Sequence, residues 1–381
     1  MKILHVSDTH LGYSAYKKIS DQGINQRELD NYNSFKQFIN YAIKTKPDII
    51  IHSGDLFDSV RPNNRAITFS INQMLRLLKS KIPFIVISGN HEQPKLTETG
   101  HIFSIFEHIE NVYPIYNLEY EKNTFIIKNK KITIHSIPQT ISKDEFIKNL
   151  NKINIDNSSD FNILILHGSV KGIQDFSMNE FNELIIPKIF LKNEFDYIAL
   201  GHYHKYTKIS DNCQYAGSTE HLSFSESIDK KGFIEINLDD ENLKTKFIEI
   251  KNRPFLDLEP IMCDNKNTNE IMEIIELNIK KINPKNKVIR VKLENIPLTQ
   301  YRGIDFEKIK KLCKNATHYE MKANIITNIN SKKMDNKRID SIAKEYNFFI
   351  KDQLFKDKKI FLDLGLEYIE RVESEKRRND T

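Results

Sequence analysis

Short apolar runs alternate with amphipathic segments along the first 250 residues of this 381-residue chain. Continuous apolar runs are typical of buried strands, and apolar residues every three or four positions indicate helices. The pattern predicts strands at 2–6, 48–52 and 84–88 and helices at 28–44, 64–79 and 99–109. Further strands are predicted at 124–128, 131–137, 162–167, 197–200, 214–216, 232–238 and 244–249. We therefore expect an α/β fold with helices outside, built on one mixed sheet or on two sheets packed face to face.

The pattern changes after Arg253-Pro254 and begins a second alternation, which is enough for a small α+β domain. It predicts strands at 255–258, 288–293 and 319–327 and helices at 269–281 and 305–311. The polar segment that follows predicts a linker. The expected domains are a body at 1–252, a small domain at 253–328, a linker at 329–337 and a C-terminal module at 338–381.

Two runs of apolar residues at helical spacing occupy the C-terminal module. Two such helices have little partner surface of their own, so either they pack back on the rest of the protein or they dock on another protein. From Ser331 to Thr381 the chain has 13 Lys and Arg against 11 Asp and Glu. This near balance argues against a basic arm for nucleic acid and favours apolar docking.

Composition narrows the class of protein only moderately. With 39% hydrophobic and 29% charged residues, 12 Gly and 11 Pro, the chain is not collagen-like, mucin-like or largely disordered. The net charge of +5 permits a polyanionic partner without demanding one. We expect no membrane span and no signal peptide, and the three cysteines, which have no zinc spacing, predict a reduced cytoplasmic setting.

Metal-binding residue types follow five of the predicted strands. The segments are Asp8-Thr9-His10, Gly54-Asp55, Gly89-Asn90-His91-Glu92, His167-Gly168 and Gly201-His202-Tyr203-His204. Because ligands gather at the carboxyl ends of strands in open α/β sheets, these segments should converge on one edge. Carboxylate, amide and imidazole donors without Cys suit Mn²⁺, Fe²⁺, Mg²⁺ or Zn²⁺, and a carboxylate such as that of Asp55 can bridge two ions.

Two details of these segments carry further expectations. The glycines at 54, 89 and 201 predict sharp turns of the backbone just before each ligand. Since Asn90 is itself a candidate ligand, the adjacent His91 could face the substrate instead of the metals.

The five segments together resemble the calcineurin-like metallophosphoesterase superfamily. Further motifs narrow the resemblance to the Mre-eleven/SbcD family of double-strand-break repair nucleases, and the order of the domains resembles that of its archaeal members. These motifs are His10-Leu11-Gly12-Tyr13, Gln26-Arg27-Glu28, Gly54-Asp55-Leu56-Phe57 with Arg61-Pro62, and Ala216-Gly217-Ser218-Thr219-Glu220. The motifs cover about residues 1–250. The resemblance implies a two-sheet sandwich flanked by helices, a small α+β capping domain and a C-terminal helix-loop-helix.

The resemblance also implies a role for each candidate residue. One Mn²⁺ would be held by Asp8, His10, Asp55 and His204, and the other by Asp55, Asn90, His167 and His202. Mg²⁺ or another divalent cation is the alternative, and no other cofactor is implied. His91 would assist departure of the leaving oxygen by donating a proton or stabilising its charge. The implied activity is that of a 3′–5′ exonuclease and endonuclease on double-stranded ends, hairpins and single strands.

Contacts with DNA are expected from the loops beside the metals. Tyr13 could stack on a sugar or base, and Arg61 could bind a backbone phosphate. Alternatively, Tyr13 packs under its loop and Arg61 bonds to Asp58 or Asp55. Some relatives have a second His at the position of Asp58, which puts any activity depending on that His in doubt.

Partners also follow from the resemblance. The C-terminal module would bind the coiled-coil base of a Rad-fifty/SbcC-type ATPase in a prokaryotic, nucleoid-associated complex. Apolar residues of the helices at 64–79 and 99–109 could pair across a homodimer axis, although covering the sheet explains them equally well.

Two other hypotheses compete with a nuclease. A small-molecule phosphoesterase could use the same metals, but the C-terminal domains and the Tyr13 and Arg61 loops argue against it. The protein-phosphatase branch usually continues with Asp-Arg-Gly, where this chain has Asp58-Ser59-Val60. A non-catalytic scaffold is disfavoured because all seven ligand positions hold competent residue types.

Overall fold

The computed structural model describes residues 1–170, 183–191, 194–239, 242–326, 342–352 and 358–379. They belong to two compact units, Met1–Ile326 and Thr327–Thr381. The linker predicted at 329–337 lies outside the described residues. In the part of the chain that the structure describes, no helix combines the length and the apolar character that crossing a membrane requires.

Strands and helices were numbered separately along the chain. The strands are β1 (Lys2–Val6), β2 (Ile49–His52), β3 (Phe84–Ile87), β4 (Val112–Ile115), β5 (Glu121–Ile127), β6 (Lys130–Ile137), β7 (Phe161–His167), β8 (Ser169–Val170), β9 (Ile185–Ile186), β10 (Tyr197–Gly201), β11 (Thr207–Ser210), β12 (Cys213–Tyr215), β13 (Gly232–Leu238), β14 (Leu243–Glu249), β15 (Phe255–Asp257), β16 (Ile261–Met262), β17 (Val288–Pro297) and β18 (His318–Ile326). The α-helices are α1 (Gln26–Thr45), α2 (Asn64–Lys79), α3 (Lys143–Asn151), α4 (Thr268–Ile282), α5 (Leu298–Arg302), α6 (Phe306–Leu312), α7 (Ile342–Asp352) and α8 (Lys358–Asn379).

The first sheet has six strands in the order β14-β13-β1-β2-β3-β4. Strands β1 to β4 are parallel, and β13 runs antiparallel to β1. Helices α1 and α2 follow β1 and β2, and their apolar residues, such as Phe35 and Leu77, share a buried core with Leu4 and Ile50 of the sheet. The start of the chain thus forms the predicted strand–helix units.

The second sheet also has six strands, in the order β11-β12-β10-β7-β6-β5. Its four central strands are parallel, and β5 and β11 are antiparallel edge strands. Ile49 and Ile51 of the first sheet share one buried core with Ile163 and Ile165 of the second. The two-sheet sandwich is therefore confirmed, and the alternative of one mixed sheet is wrong.

Residues 255–326 contain a third sheet, in which β17 pairs in parallel with β15, β16 and β18. Ile271 and Ile275 of α4 and Ile309 of α6 pack with Val291 and other residues of this sheet in a separate core. These residues belong to the same compact unit as residues 1–254. The capping-domain boundary after residue 252 stays a prediction.

The helix predicted at 99–109 is wrong. The segment forms two short 3₁₀ turns, Thr97–Thr99 and Ile102–Phe106, separated by Gly100, whose φ of +67° interrupts helical geometry. Its apolar spacing reflects packing, because Phe106 stacks on Phe57 with ring centroids 6.1 Å apart. Helix α3, in contrast, was not predicted, although Ser142 and Glu145 form a capping box at its start.

Both predicted C-terminal helices are present, as α7 and α8. The Tyr346 hydroxyl of α7 donates a hydrogen bond to the Phe361 carbonyl of α8 at 2.6 Å. Gly365 makes this contact possible, because a Cβ there would lie 2.2 Å from the Tyr346 ring. Large apolar side chains nevertheless stay exposed, including those of Phe349 (61%) and Tyr368 (65%). This pair of helices therefore has apolar surface that it does not cover itself.

Candidate metal centre

The loops after β1 and β2 are strained and fixed to each other. Asp8, His10 and Asp55 have φ values of +50°, +44° and +56°, and His202 has +95°, a region that costs non-glycine residues about 1–3 kcal/mol each. The Asp8 amide donates to the Gly54 carbonyl at 3.0 Å, and the His10 amide donates to the Asp55 carbonyl at 3.1 Å. These bonds hold candidate ligands in conformations that they would not adopt alone.

Glycines at 54, 89 and 201 lie against candidate ligands or the loop that carries them. A Cβ on Gly54 would lie 2.2 Å from His167 Nδ1, and one on Gly89 would lie 2.1 Å from Asp55 Oδ1. A Cβ on Gly201 would lie 2.0 Å from the Ser53 carbonyl oxygen. Of the three, only Gly54 has a positive φ, +99°. The predicted reason, a sharp turn, applies to Gly54 alone, whereas close approach explains the other two.

Asp8, His10 and His204 form the first group of ligand atoms, all within 4.8 Å of one another. His10 Nε2 lies 3.2 Å from His204 Nε2 and 3.9 Å from Asp55 Oδ2. These side chains follow β1, β2 and β10, and His10 and His204 are 194 residues apart in the chain.

Asp55, His167 and His202 form the second group, again within 4.8 Å. Asp55 Oδ2 lies 3.3 Å from His167 Nε2. Asn90 Oδ1 lies 3.0 Å from both His167 Nε2 and His202 Nδ1. Asp55 is thus close to histidines of both groups, in the position that a bridging carboxylate would occupy. We call the seven residues the metal centre; they are Asp8, His10, Asp55, Asn90, His167, His202 and His204.

The donor set fits a pair of cations. Two facing imidazole nitrogens, His10 Nε2 and His204 Nε2, can both direct lone pairs at one cation, whereas a hydrogen bond between them needs a proton. In the described ranges no Lys or Arg pairs with the buried carboxylates of Asp8 and Asp55. Buried carboxylates require opposite charge, so the residues suit a dimetal site whose metal the donors do not single out.

Each histidine of the metal centre has its second ring nitrogen held by a protein oxygen. The pairs are His10 Nδ1 with Asp58 Oδ1 at 3.2 Å, His167 Nδ1 with the Ser53 carbonyl at 2.8 Å, His202 Nε2 with Glu183 Oε1 at 3.3 Å, and His204 Nδ1 with Glu226 Oε1 at 3.2 Å. Such partners fix the tautomer and orientation of metal-binding imidazoles. Ser53, Glu183 and Glu226 were not predicted from the sequence, since no spacing relates them to their histidines.

Glu226 is itself held by a buried lysine. Lys231 Nζ lies 2.6 Å from Glu226 Oε2, and it donates to the His204 carbonyl at 2.8 Å and to Ser218 Oγ at 2.9 Å. Burial raises the pKa of Glu226, but the Lys231 ammonium and the hydrogen bond to His204 outweigh it and hold that pKa well below its usual range. Glu226 is therefore an anion that accepts the His204 proton at Nδ1.

His91 lies beside the metal centre with a different environment. Its side chain is 29% exposed, whereas those of His10 and His167 are 1% exposed. Its Nδ1–H donates to the Asp58 carbonyl at 3.0 Å, and its backbone N–H donates to Asp55 Oδ1 at 3.0 Å. The ring centroid is 4.6 Å from that of His10. His91 is thus fixed next to the metal centre at a position open to solvent.

Several pKa values are shifted around Asp55. Burial lowers the pKa of His167, but the Asp55 carboxylate outweighs this and raises it to about 9. Burial raises the pKa of Asp55, and its neighbouring histidines lower it well below 3.8. Burial and the charge of Asp55 raise the pKa of Glu92 to about 8. Glu92 accepts hydrogen bonds from the Phe57 and Gly89 amides, each at 2.8 Å, and so connects two ligand loops.

The candidate DNA contacts lie on the expected loops. The Tyr13 hydroxyl donates to the Leu222 carbonyl at 2.7 Å, and burial raises its pKa to about 12, which favours a packing role for this ring. The carboxylate of Asp58 contacts His10 instead of Arg61. Arg61 pairs with neither Asp58 nor Asp55 within the described residues. DNA binding by Tyr13 and Arg61 stays a prediction.

Comparisons with known proteins agree on one family. The model of the calcineurin-like phosphoesterases matches residues 1–206, a range that includes the whole metal centre. A DNA double-strand break repair protein Mre11 of Methanococcus maripaludis is 31% identical over 301 residues, 74% of this chain and 76% of that protein. The protein of the same name from Saccharolobus solfataricus is 37% identical over 54% of this chain and 49% of its own length. That of Sulfolobus acidocaldarius is 28% identical over 88% and 86%.

Proposed function

The chain belongs to the calcineurin-like phosphoesterases and, within them, to the archaeal Mre11 family of DNA double-strand break repair proteins, and from this membership we propose that it is a manganese-dependent DNA nuclease. It acts on DNA as a 3′–5′ exonuclease and an endonuclease. The observation that carries this proposal is the convergence of seven oxygen and nitrogen donors beside a solvent-accessible histidine.

The residues divide between two cation positions. Asp8, His10, Asp55 and His204 would hold one cation, and Asp55, Asn90, His167 and His202 would hold the other. Two bound cations supply Lewis acidity and offset the negative charge of the phosphodiester. Four imidazoles among seven donors disfavour Mg²⁺, which prefers oxygen ligands and retains water, and Mn²⁺ is the cation that the family resemblance implies.

His91 assists the leaving oxygen. Its Nδ1 proton is committed to the Asp58 carbonyl and its main chain is bonded to Asp55, so the ring has one orientation. In its charged form His91 carries a second proton at Nε2. That proton passes to the departing alkoxide, which is a strong base and a poor leaving group without it.

The experiment that tests this function compares substrates and metals. Purified protein is supplied with Mn²⁺ or Mg²⁺ and given double-stranded DNA, hairpin DNA or a chromogenic phosphodiester. We expect cleavage of both DNAs, with Mn²⁺ the more effective metal. Hydrolysis of the chromogenic phosphodiester with no cleavage of any DNA would instead favour a small-molecule phosphoesterase.

Helices α7 and α8 dock the coiled-coil base of a Rad-fifty/SbcC-type ATPase. Their exposed apolar side chains, such as those of Phe349, Phe361 and Leu364, support this assignment. The partly exposed residues of α2, including Leu75, support a homodimer in the same way.

Truncation after Asn328 tests the docking module. The shortened protein should lose the ATPase in a pull-down experiment and keep manganese-dependent cleavage, because the metal centre lies entirely within residues 8–204. In the full chain, Phe361→Glu should also lose the partner, whereas Lys359→Glu on the same helix should keep it. Loss of cleavage by the truncated protein in the absence of the ATPase would count against a separate docking module.

A further inference from the structure

A cleft of about 540 Å³ lies beside His91 and outside the metal centre. One wall is the loop after β2, with Asp58, Ser59, Val60 and Arg61, and the other is the segment with Pro94, Lys95, Leu96 and Thr99. His91 itself lines the cleft, and its ring is 4.6 Å from that of His10. The cleft therefore adjoins the place where the reacting phosphate must lie.

The charged residues of the cleft favour an anionic ligand. Arg61 and Lys95 are its cations, and Asp58 is its anion. The Asp58 carboxylate lies 3.2 Å from His10 Nδ1, so it is hydrogen-bonded to an imidazole of the metal centre and not to a cation of the cleft. Arg61 is exposed and has no carboxylate partner among the residues that the structure describes. A guanidinium placed in this way matches the geometry of a phosphate.

The apolar residues of the cleft favour a flat ring beside that phosphate. Val60, Pro94 and Leu96 line it, and the Leu96 side chain is 60% exposed. A cationic group that binds backbone phosphate next to an apolar surface that packs on a base is how proteins bind single-stranded nucleic acid. The lining thus matches one nucleotide of an extended strand.

We propose that this cleft binds the nucleotide on the leaving-oxygen side of the scissile phosphate. Arg61 and Lys95 bind the next phosphate along the strand, and Leu96 with Val60 packs against the base. The side follows from the role proposed above for His91, which lines the cleft. This inference rests on the proposed nuclease function and adds to it a subsite for single-stranded DNA.

A phosphate-by-phosphate scan tests the contact of Arg61. Single-stranded oligonucleotides carry one uncharged methylphosphonate at successive linkages, and the cleavage products identify which oxygen leaves. In the wild-type protein, a methylphosphonate one linkage beyond the scissile bond on the leaving side should lower kcat/KM by about five- to tenfold. In Arg61→Gln the same modification should change kcat/KM by less than about twofold, because the contact is already lost.

Two further comparisons separate this contact from a structural effect. Lys244→Gln, which removes a charge from an exposed position of β14, is the matched control and should retain sensitivity to the methylphosphonate. Arg61→Gln should lose at least about five times more activity on DNA than on a chromogenic phosphodiester, mainly through KM. An abasic nucleotide at the position bound in the cleft should lower kcat/KM of the wild type. It should not lower kcat/KM of Leu96→Ala further, because that variant has already lost the contact with the base.

Each outcome decides the proposal. If the wild type cleaves DNA and Arg61→Gln behaves like Lys244→Gln, the cleft proposal is overturned and the nuclease function stands. The cleft proposal is also overturned if the methylphosphonate lowers kcat/KM of the wild type only when it lies on the side of the scissile phosphate opposite the leaving oxygen. If the wild type hydrolyses the chromogenic phosphodiester and no DNA, the nuclease function fails and the cleft proposal fails with it.

Discussion

Two largely buried clusters of charged residues in the first unit differ in how their negative charges are balanced. In the metal centre, Asp8 and Asp55 face histidines and an asparagine. In the second cluster, which we call the arginine network, Arg27 and Arg253 face Asp30 and Glu220. Arg27 Nη1 lies 2.6 Å from Asp30 Oδ2, Arg27 Nη2 lies 3.3 Å from Glu220 Oε1, and Arg253 binds both Asp30 oxygens at 2.6 and 2.7 Å.

The difference shows what each cluster is for. The arginine network is neutral within itself, and it joins residues far apart in the chain: Arg253 also donates to the Asn286 carbonyl at 2.8 Å, and Arg27 lies 4.9 Å above the Phe255 ring. It therefore fastens residues 255–326 to the preceding sandwich. The metal centre contains buried carboxylates without lysine or arginine partners among the described residues; its imidazoles and, in the proposed function, bound cations offset their charge. The first arrangement stabilises the fold, and the second provides a site.

The strongest test of this contrast removes the carboxylate shared by both cation positions. Asp55→Ala should lower DNA cleavage by more than about 100-fold, because even outer partners of metal ligands account for 10–100-fold. Without metal the variant should have a lower melting temperature as well, because the Asp55 carboxylate lies 3.3 Å from His167 Nε2 and accepts the His91 amide. Metal content, cleavage and thermal unfolding in EDTA check this, with Asp211→Ala on a surface loop as the control.

Glu226 belongs to both kinds of cluster, since it pairs with buried Lys231 and holds His204. Glu226→Gln should weaken manganese binding by about 10–100-fold through the lost orientation of His204. It should also destabilise the fold, because the Lys231 ammonium stays buried without its anion. Calorimetric titration with Mn²⁺ and urea unfolding measure the two effects. A change in stability with unaltered metal affinity would show that Glu226 does not serve the metal centre.

Breaking the arginine network should lower the free energy of unfolding and leave metal binding intact. Glu220→Gln should reduce the free energy of unfolding by about 2–4 kcal/mol, because Arg27 loses one of its two buried anionic partners. The variant should still bind two Mn²⁺ per chain. Glu249→Gln, which breaks an exposed ion pair with Lys230, is the control and should change stability by less than about 1 kcal/mol.

The effect of pH on the same variant sharpens the comparison. Burial raises the pKa of Glu220, but the His221 side chain and the charge of Arg27 outweigh it and hold that pKa below its usual 4.5. A carboxyl whose folded pKa is depressed stabilises the fold above its unfolded pKa and loses this effect as pH falls through the folded value. The difference in unfolding midpoint between wild type and Glu220→Gln should therefore shrink below pH 4.5. A difference that grows on acidification would contradict the assignment.

The sequence predicted the metal centre better than the arginine network, for a physical reason. Every residue of the metal centre lies at or just after the end of a strand, and parallel strands bring such ends together. Arg27 and Glu220 both lie in motifs noted from the sequence, but 193 residues separate them and no periodicity shows that they meet. Partners such as Glu226 and Glu183 were missed for the same reason.

Local structure was predicted where burial and periodicity agree. Strand β1 and helix α2 have the predicted bounds, because their apolar spacing matches a single secondary structure. Residues 99–109 have helical spacing, yet Gly100 divides them and Phe103 and Phe106 are held by aromatic packing instead. Tertiary contacts overrode the local signal there, and no sequence pattern measures those contacts.

The proposed mechanism assigns metal binding and proton donation to separate residues at one edge of the sandwich. The direct measurement is manganese stoichiometry together with DNA cleavage for the wild type, Asp55→Ala and His91→Asn. We predict two Mn²⁺ per chain for the wild type and for His91→Asn, and cleavage by the wild type alone. Robust cleavage by Asp55→Ala, or loss of both metals from His91→Asn, would contradict it.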